Sequence, residues 1–117
     1  EGRRVAMVAG GELTLRVHGT GRGGRNQHLA LLMLEKMCAY DGATFAAFST
    51  DGIDGPTDAS GAFVDISVVK TAARLGLSPR DFLQRCDSYE FFRQAGGLVC
   101  TGYTGSNLND LFVLLLT

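Results

Sequence analysis

Glycine constrains this chain more than any other residue. The 16 glycines among 117 residues are about twice the usual ~7% share. They concentrate in three clusters, at 19–24, 52–61 and 102–105, with no collagen-like period and no linker character. Each cluster comes after a short apolar or alternating run. That pattern places tight loops at strand ends on a rigid scaffold, where backbone can approach a ligand closely.

The segments between the clusters read as alternating strands and helices. Residues 5–9 form a buried strand closed by Gly10 and Gly11. Residues 12–17 alternate polar and apolar, the period-2 sign of a half-buried strand. Asn26 is the candidate N-cap of a helix over 27–40, which is apolar around most of its circumference. Residues 44–49 read as a buried strand, followed by turn formers over 50–61. A helix over 66–75 stops at Gly76. Ser78 as N-cap and Pro79 at N1 open another, running to about Cys86. Asp87 or Ser88 caps a third short helix over 89–95. Strands at 98–100 and 111–116 complete the order, the last apolar throughout and so expected inside the sheet. The expected fold is a layered α/β domain with a mixed β-sheet and flanking helices. Its polar loops can converge at the carboxyl ends of strands, where such sheets bind ligands. Residues 1–117 make a single domain.

Charge and composition exclude several classes. Eleven basic residues against 12 acidic leave a net charge of −1, without the basic excess of a nucleic-acid domain. The apolar share of 45% is that of a globular chain, not a disordered one. The longest apolar run, residues 111–116, is far short of the ~20 residues a membrane span needs. Cys38, Cys86 and Cys100 have neither disulfide-framework nor zinc spacing. They read as reduced thiols of a cytoplasmic protein. The chain begins without Met inside an expected strand, and is read as part of a longer protein. A homo-oligomer is left open.

The run GTGRGGRNQ at 19–27 satisfies G-x-G-x-x-G through Gly19, Gly21 and Gly24. A dinucleotide loop needs an acid ~20 residues on, and Asp51 comes 27 after Gly24. Arg22 and Arg25 flank the glycines, and guanidiniums beside free amides suit phosphate or carboxylate. An anion site is therefore favoured over a structural turn or a nicotinamide site. The Lys-Ser/Thr of a P-loop is missing. In STDGIDGPTDASG, Asp51, Asp54 and Asp58 are not spaced as in an EF-hand. Asx-turns explain each singly. Three in one loop also suit Mg²⁺ coordination or acceptance of a hydroxyl proton. The run TGYTGSNLND at 101–110 offers Thr104, Asn107, Asn109 and Asp110 to hydroxyls or phosphate oxygens, or forms a long turn. His18 and His28 join no catalytic constellation. DSYEFF at 87–92 reads as a cap followed by core aromatics.

Taken together and in this order, GRGGRNQ, TDGIDGPTDASG, DSYEFF and TGYTGSNLNDL resemble the MOFRL domain, the C-terminal domain of the glycerate 2-kinases. The likeness runs from Gly11 to the end. It implies an upstream Rossmann-like domain of the same chain, an inter-domain active site, and glycerate and ATP as substrates. It further implies that Arg25 binds substrate carboxylate or phosphate, and that the loops at 51–58 and 101–110 line the cleft. A lysine that the family supplies from upstream has no counterpart here. His28 stands where members commonly carry Glu, so no catalytic role attaches to it.

The resulting expectation is the C-terminal domain of an ATP-dependent glycerate 2-kinase using ATP and Mg²⁺. Arg25, Asp51 and Asp54 are its candidate catalytic groups, with Asp51 the candidate metal ligand. Gly21, Arg22, Gly23, Gly24, Asn26, Asp58, Thr104, Asn107, Asn109 and Asp110 are its candidate substrate or phosphate contacts. Phosphoryl transfer needs mostly positioning and charge neutralisation, which such residues supply. The alternatives are an NAD(P)-dependent hydroxypyruvate reductase, a label some members of this family carry, and a non-catalytic small-acid-binding module.

Overall fold

The computed structural model describes residues 3–12, 14, 19–37, 40 and 42–117. The elements run β1 (Val5–Gly11), α1 (Arg25–Met37), β2 (Ala43–Ser49), β3 (Gly61–Val64), α2 (Ile66–Arg74), α3 (Pro79–Gln84), α4 (Ser88–Ala95), β4 (Leu98–Val99) and β5 (Asp110–Leu116). The strands form one five-stranded sheet in the order β1-β5-β2-β3-β4. The layered α/β architecture agrees with the expectation, and β5 is indeed an interior strand. The expected strand over 12–17 falls largely outside the described residues, as do His18 and Cys38.

The sheet is antiparallel at every pairing, not mixed. The reason is the insertion of β5. The β1–α1–β2 order has the look of a parallel crossover unit, and both strands do run in the same direction. They never meet, because β5 lies between them and pairs antiparallel with each. The register aligns Gly11, Asp110 and Ser49 across the three strands. One edge of the sheet therefore gathers the exits of β1 and β2 with the entry of β5.

The core lies between β2, β3 and the helices. Alternate β2 residues Ala43, Phe45 and Ala47 are buried. Phe45 and Ala47 belong to one cluster with Leu31 and Leu34 of α1, Val64 of β3 and Phe91 and Phe92 of α4. The Phe91 and Phe92 rings meet edge to face at 5.2 Å, the favoured geometry for aromatic pairs. The short strand β3 has no separate signal in the sequence. Its four residues follow directly on the turn formers and precede a helix cap, so propensity gives little to read. Along β1 all of Val5–Gly10 is exposed.

The helix boundaries follow the expected signals with two exceptions. Ser78 accepts a bond from Asp81 N and Pro79 opens α3. Gly76 adopts φ +70° just beyond the end of α2. Asp87 precedes α4 but makes no side-chain cap bond to it. Asn26 is not the cap of α1. It is already helical, and the Gly24 carbonyl accepts the first helical bond, from His28 N at 2.9 Å. The side-chain cap of α1 comes from elsewhere.

Candidate functional site

Asp54 caps α1 from a loop 28 residues away along the chain. Its Oδ1 accepts from Asn26 N at 3.0 Å, and its Oδ2 accepts from Gln27 N at 2.9 Å. The side-chain amides of Asn26 and Gln27 donate to the same two oxygens. These backbone N–H groups are among the orphans that a helix N-terminus must satisfy. Asp54 is 2% exposed. Burial pushes its carboxyl above the ordinary carboxylate range, opposed by the bonds from Asn26 and Gln27. Its expected part as a metal or hydroxyl ligand does not fit this geometry, because N–H donors surround both oxygens.

This cap also bears on the glycine loop. A dinucleotide or P-loop site presents the helix N-terminus to a phosphate. Here a protein carboxylate already holds those amides of α1. The glycines likewise admit protein. A Cβ on Gly24 would lie 2.2 Å from Asp54 Cγ, and one on Gly21 would lie 2.3 Å from Asp87 Cβ. One on Gly23 would lie 2.2 Å from Ser88 Oγ. Gly21, Gly23 and Gly24 are thus close-packing positions in this fold, and the nicotinamide reading loses its main support.

The three loops do meet. Asp54 N–H donates to Ala59 O within the second loop, whose Gly55 (φ +64°) leaves no room for a Cβ beside Gly23 O, 2.7 Å away. On the other side Gly52, at φ +96°, packs against Gly102 O. Thr50 N donates to Asn109 O at 3.0 Å and Thr104 N to Asp51 O at 3.3 Å. Leu108 N donates to Thr50 Oγ1 at 2.7 Å.

Arg25 stands where these loops converge. Its Nε and Nη2 donate to Asp110 Oδ2 and Oδ1 at 2.7 and 3.1 Å. The Arg25 side chain is 35% exposed and that of Asp110 is fully buried. Asn26 Nδ2 also donates to Asp110 Oδ1, at 3.0 Å. Glu12 lies 3.9 Å from the guanidinium. The bond to Asp110 outweighs desolvation and raises the Arg25 pKa further. Asp110 is thus the holder of Arg25, buried beneath it, and not an open contact for substrate.

The remaining expected residues divide clearly. Asp51 is half-buried, and its Oδ1 accepts from Ser49 Oγ at 2.7 Å and Ile53 N at 2.9 Å. The Ser49 and Ile53 bonds, with the Arg25 charge, hold its carboxyl below the ordinary range. Asp58 accepts from the Tyr89 hydroxyl at 2.8 Å. Thr104 donates to Thr50 O. Asn107 and Asn109 are exposed, and Asn109 takes φ +66°. Asn26 is fully buried between the two aspartates. Arg22 is exposed and lies over the Tyr89 ring at 4.4 Å.

Sequence reasoning missed three groups that build this region. Gln27 binds Asp54 and Thr57. Asp87 accepts from Arg22 N at 2.9 Å, and Tyr89 N donates to Arg22 O at 2.9 Å. The available signal was two consecutive amides, Asn26 and Gln27, opening an otherwise apolar helix. Asp87 and Tyr89 carried none, since DSYEFF reads equally as cap and core.

Among the described residues no group of three His, Cys, Asp or Glu side chains could hold a metal ion. Mg²⁺ in phosphoryl-transfer sites is commonly held by one or two carboxylates plus substrate phosphates. Asp51 fits one such carboxylate. Among the described residues no helix is long and apolar enough to cross a membrane.

The α/β layer presents a buttressed arginine at one edge of the sheet, where three loops meet. The profile of the MOFRL family matches residues 5–110, and the chain belongs to that family. It is 43% identical over 112 residues to the D-glycerate 2-kinase of Thermotoga maritima, covering 96% of this chain and 27% of that protein. It is 40% identical over 114 residues to the glycerate 2-kinase of Pyrococcus horikoshii, covering 97% of this chain and 26% of that protein. The crystal structure of the Thermotoga maritima glycerate kinase superposes with a TM-score of 0.92 at 43% identity, over 96% of this chain and 27% of that one. The chain thus spans about a quarter of the length of these relatives.

Proposed function

We propose that this chain is the C-terminal domain of a cytoplasmic, ATP-dependent glycerate 2-kinase, and that it forms one wall of an active site completed by an upstream domain. The observation that carries this reading is the Arg25 fork at the junction of three loops, in a chain whose relatives are named glycerate kinases.

The reaction transfers the ATP γ-phosphoryl to a glycerate hydroxyl. Its charge spreads over phosphoryl oxygens, so fixed cations do most of the work available to a protein. Arg25, oriented by Asp110, offers its remaining N–H groups to a carboxylate or phosphate. Asp51 stays ionised and accepts the hydroxyl proton or holds Mg²⁺. When bound, Mg²⁺ would neutralise phosphate charge. The free thiols Cys86 and Cys100 suit a reducing compartment.

The test is ADP release by the full-length protein given D-glycerate, ATP and Mg²⁺. Glycerate-dependent ADP is expected. No ADP above the glycerate-free blank would overturn the reading and return attention to a small-acid-binding module.

A further inference from the structure

Arg22 and Arg25 stand three residues apart, but the fold treats their charges differently. Arg25 is paired with buried Asp110. Among the described residues no carboxylate forms an ion pair with Arg22. Its guanidinium carbon lies instead 4.4 Å from the centroid of the Tyr89 ring.

Tyr89 is itself fixed. Its backbone N–H donates to Arg22 O at 2.9 Å, so ring and guanidinium belong to one clamp. Its hydroxyl donates to Asp58 Oδ1 at 2.8 Å, and the residue is 9% exposed. Asp87 Oδ1 holds the other side of the clamp by accepting from Arg22 N. Arg22 itself stays exposed.

The two ways of holding an arginine have different electrostatic results. A carboxylate orients the guanidinium and offsets part of its charge. An aromatic face orients the guanidinium plane and leaves the charge in place. A stacked arginine without an ion pair among the described residues, its charge felt by the Glu90 carboxyl, keeps more of its attraction for an incoming anion than a forked one.

We propose that Tyr89 is a positioning residue that holds the Arg22 guanidinium, charge intact, for an oxyanion of the bound substrate, and that Asp58 acts on that oxyanion only through the Tyr89 hydroxyl. This keeps Arg22 as an oxyanion contact, as expected from the sequence, and revises the expectation that Asp58 touches substrate directly. The identity of the oxyanion, a nucleotide phosphate or the carboxylate of the acid, rests on the kinase reading.

The experiment compares Tyr89→Leu, Tyr89→Phe, Arg22→Ala and the Tyr89→Leu/Arg22→Ala double variant in the full-length protein. Tyr89→Leu and Arg22→Ala should each raise one KM by about fivefold, the size of a partly exposed cation–π contact, with kcat within about twofold. The double variant should be no worse than Arg22→Ala alone, since Tyr89 acts through Arg22. Tyr89→Phe keeps the ring but loses the Asp58 bond, so it should raise the same KM by less than Tyr89→Leu and by as much as Asp58→Ala. Whichever KM moves identifies the oxyanion as nucleotide phosphate or substrate carboxylate. Additive effects, or unchanged KM values, overturn the proposal.

If Tyr89→Leu does not fold, Asp58→Ala removes only the brace from an exposed residue and should raise the same KM. No rise overturns the proposal. If the unaltered protein turns over no glycerate, the kinase reading has failed, and the same variants are titrated with inorganic pyrophosphate. Equal losses of affinity in Tyr89→Leu and Arg22→Ala support the clamp. Unequal losses, or no pyrophosphate binding by the unaltered protein at millimolar concentration, overturn it.

Discussion

Arg25 Nε lies 2.7 Å from Asp110 Oδ2, and Arg25 Nη2 lies 3.1 Å from Asp110 Oδ1, a two-bond fork between residues 85 positions apart. The fork joins the first turn of α1 to the first residue of β5. It also fixes which edges of the guanidinium remain open. A planar cation held this way loses little freedom when an anion arrives.

The fork gives the first prediction. Arg25→Lys keeps the charge but cannot reproduce two parallel N–H bonds. It should lower kcat/KM of the full-length protein at least tenfold, equivalent to about 1.4 kcal/mol. Arg25→Ala should lose as much activity and also reduce stability by about 1–3 kcal/mol, because buried Asp110 then loses both guanidinium bonds. Steady-state kinetics and chemical denaturation separate the two effects. Unchanged kcat/KM in both variants would remove Arg25 from the site.

Asp54 gives the second. Its carboxylate satisfies two backbone N–H groups and two side-chain amides. Asp54→Ala should destabilise the protein by about 2–3 kcal/mol through loss of the α1 cap and exposure of buried donors. Asp54→Asn should recover only part, since an amide turns one acceptor into a donor. Urea midpoints measure this directly. Full stability with abolished turnover would mean that Asp54 is a reacting group after all.

Gly52 gives the third. At φ +96°, with Gly102 O only 1.9 Å from where a Cβ would stand, Gly52→Ala is both strained and obstructed. A cost of about 2 kcal/mol is expected, confined to the contact between the second and third loops. Hydrogen exchange should accelerate at Thr104 and Leu108, whose amides donate to Asp51 O and Thr50 Oγ1. Unaltered exchange there would show that the loops do not depend on this contact.

Glu90, next to Tyr89 in α4, supplies a pH dependence of stability. The Arg93 guanidinium, helped by Gln94, lowers its carboxyl from 4.5 to about 2. A folded pKa below the unfolded one stabilises the native state above the unfolded value. That contribution disappears as pH falls from about 4.5 through about 2. Thermal melts of Glu90→Gln should therefore show a shallower acid slope than the unaltered protein, with a small effect because the pair is exposed. Parallel slopes would contradict the Glu90–Arg93 contact.

Much of the fold was legible in the sequence, because its signals are local. Ser78 and Pro79 start α3 through bonds within one turn. Gly76 stops α2 through its own φ. Residues 44–49 were legible as a strand and lie within β2, although only alternate residues of it are buried. The strand β3 was not legible, since four residues between a turn and a cap carry too little periodicity. The candidate site was legible as loops and residue types, and the three glycine clusters do lie together.

What the sequence alone determined is most of the elements, the loops between them, and the presence of two arginines and several aspartates in those loops. The tertiary structure decided which aspartate does what. Asp51, Asp54 and Asp58 are equivalent as turn formers. Their difference comes from partners 27 to 31 residues away for Asp54 and Asp58, and from local turn bonds for Asp51. The direction of the sheet was decided in the same way, by the C-terminal strand entering between β1 and β2. Hydrogen-bond partners and strand neighbours are set by chain crossings distant in sequence, and no local pattern encodes them.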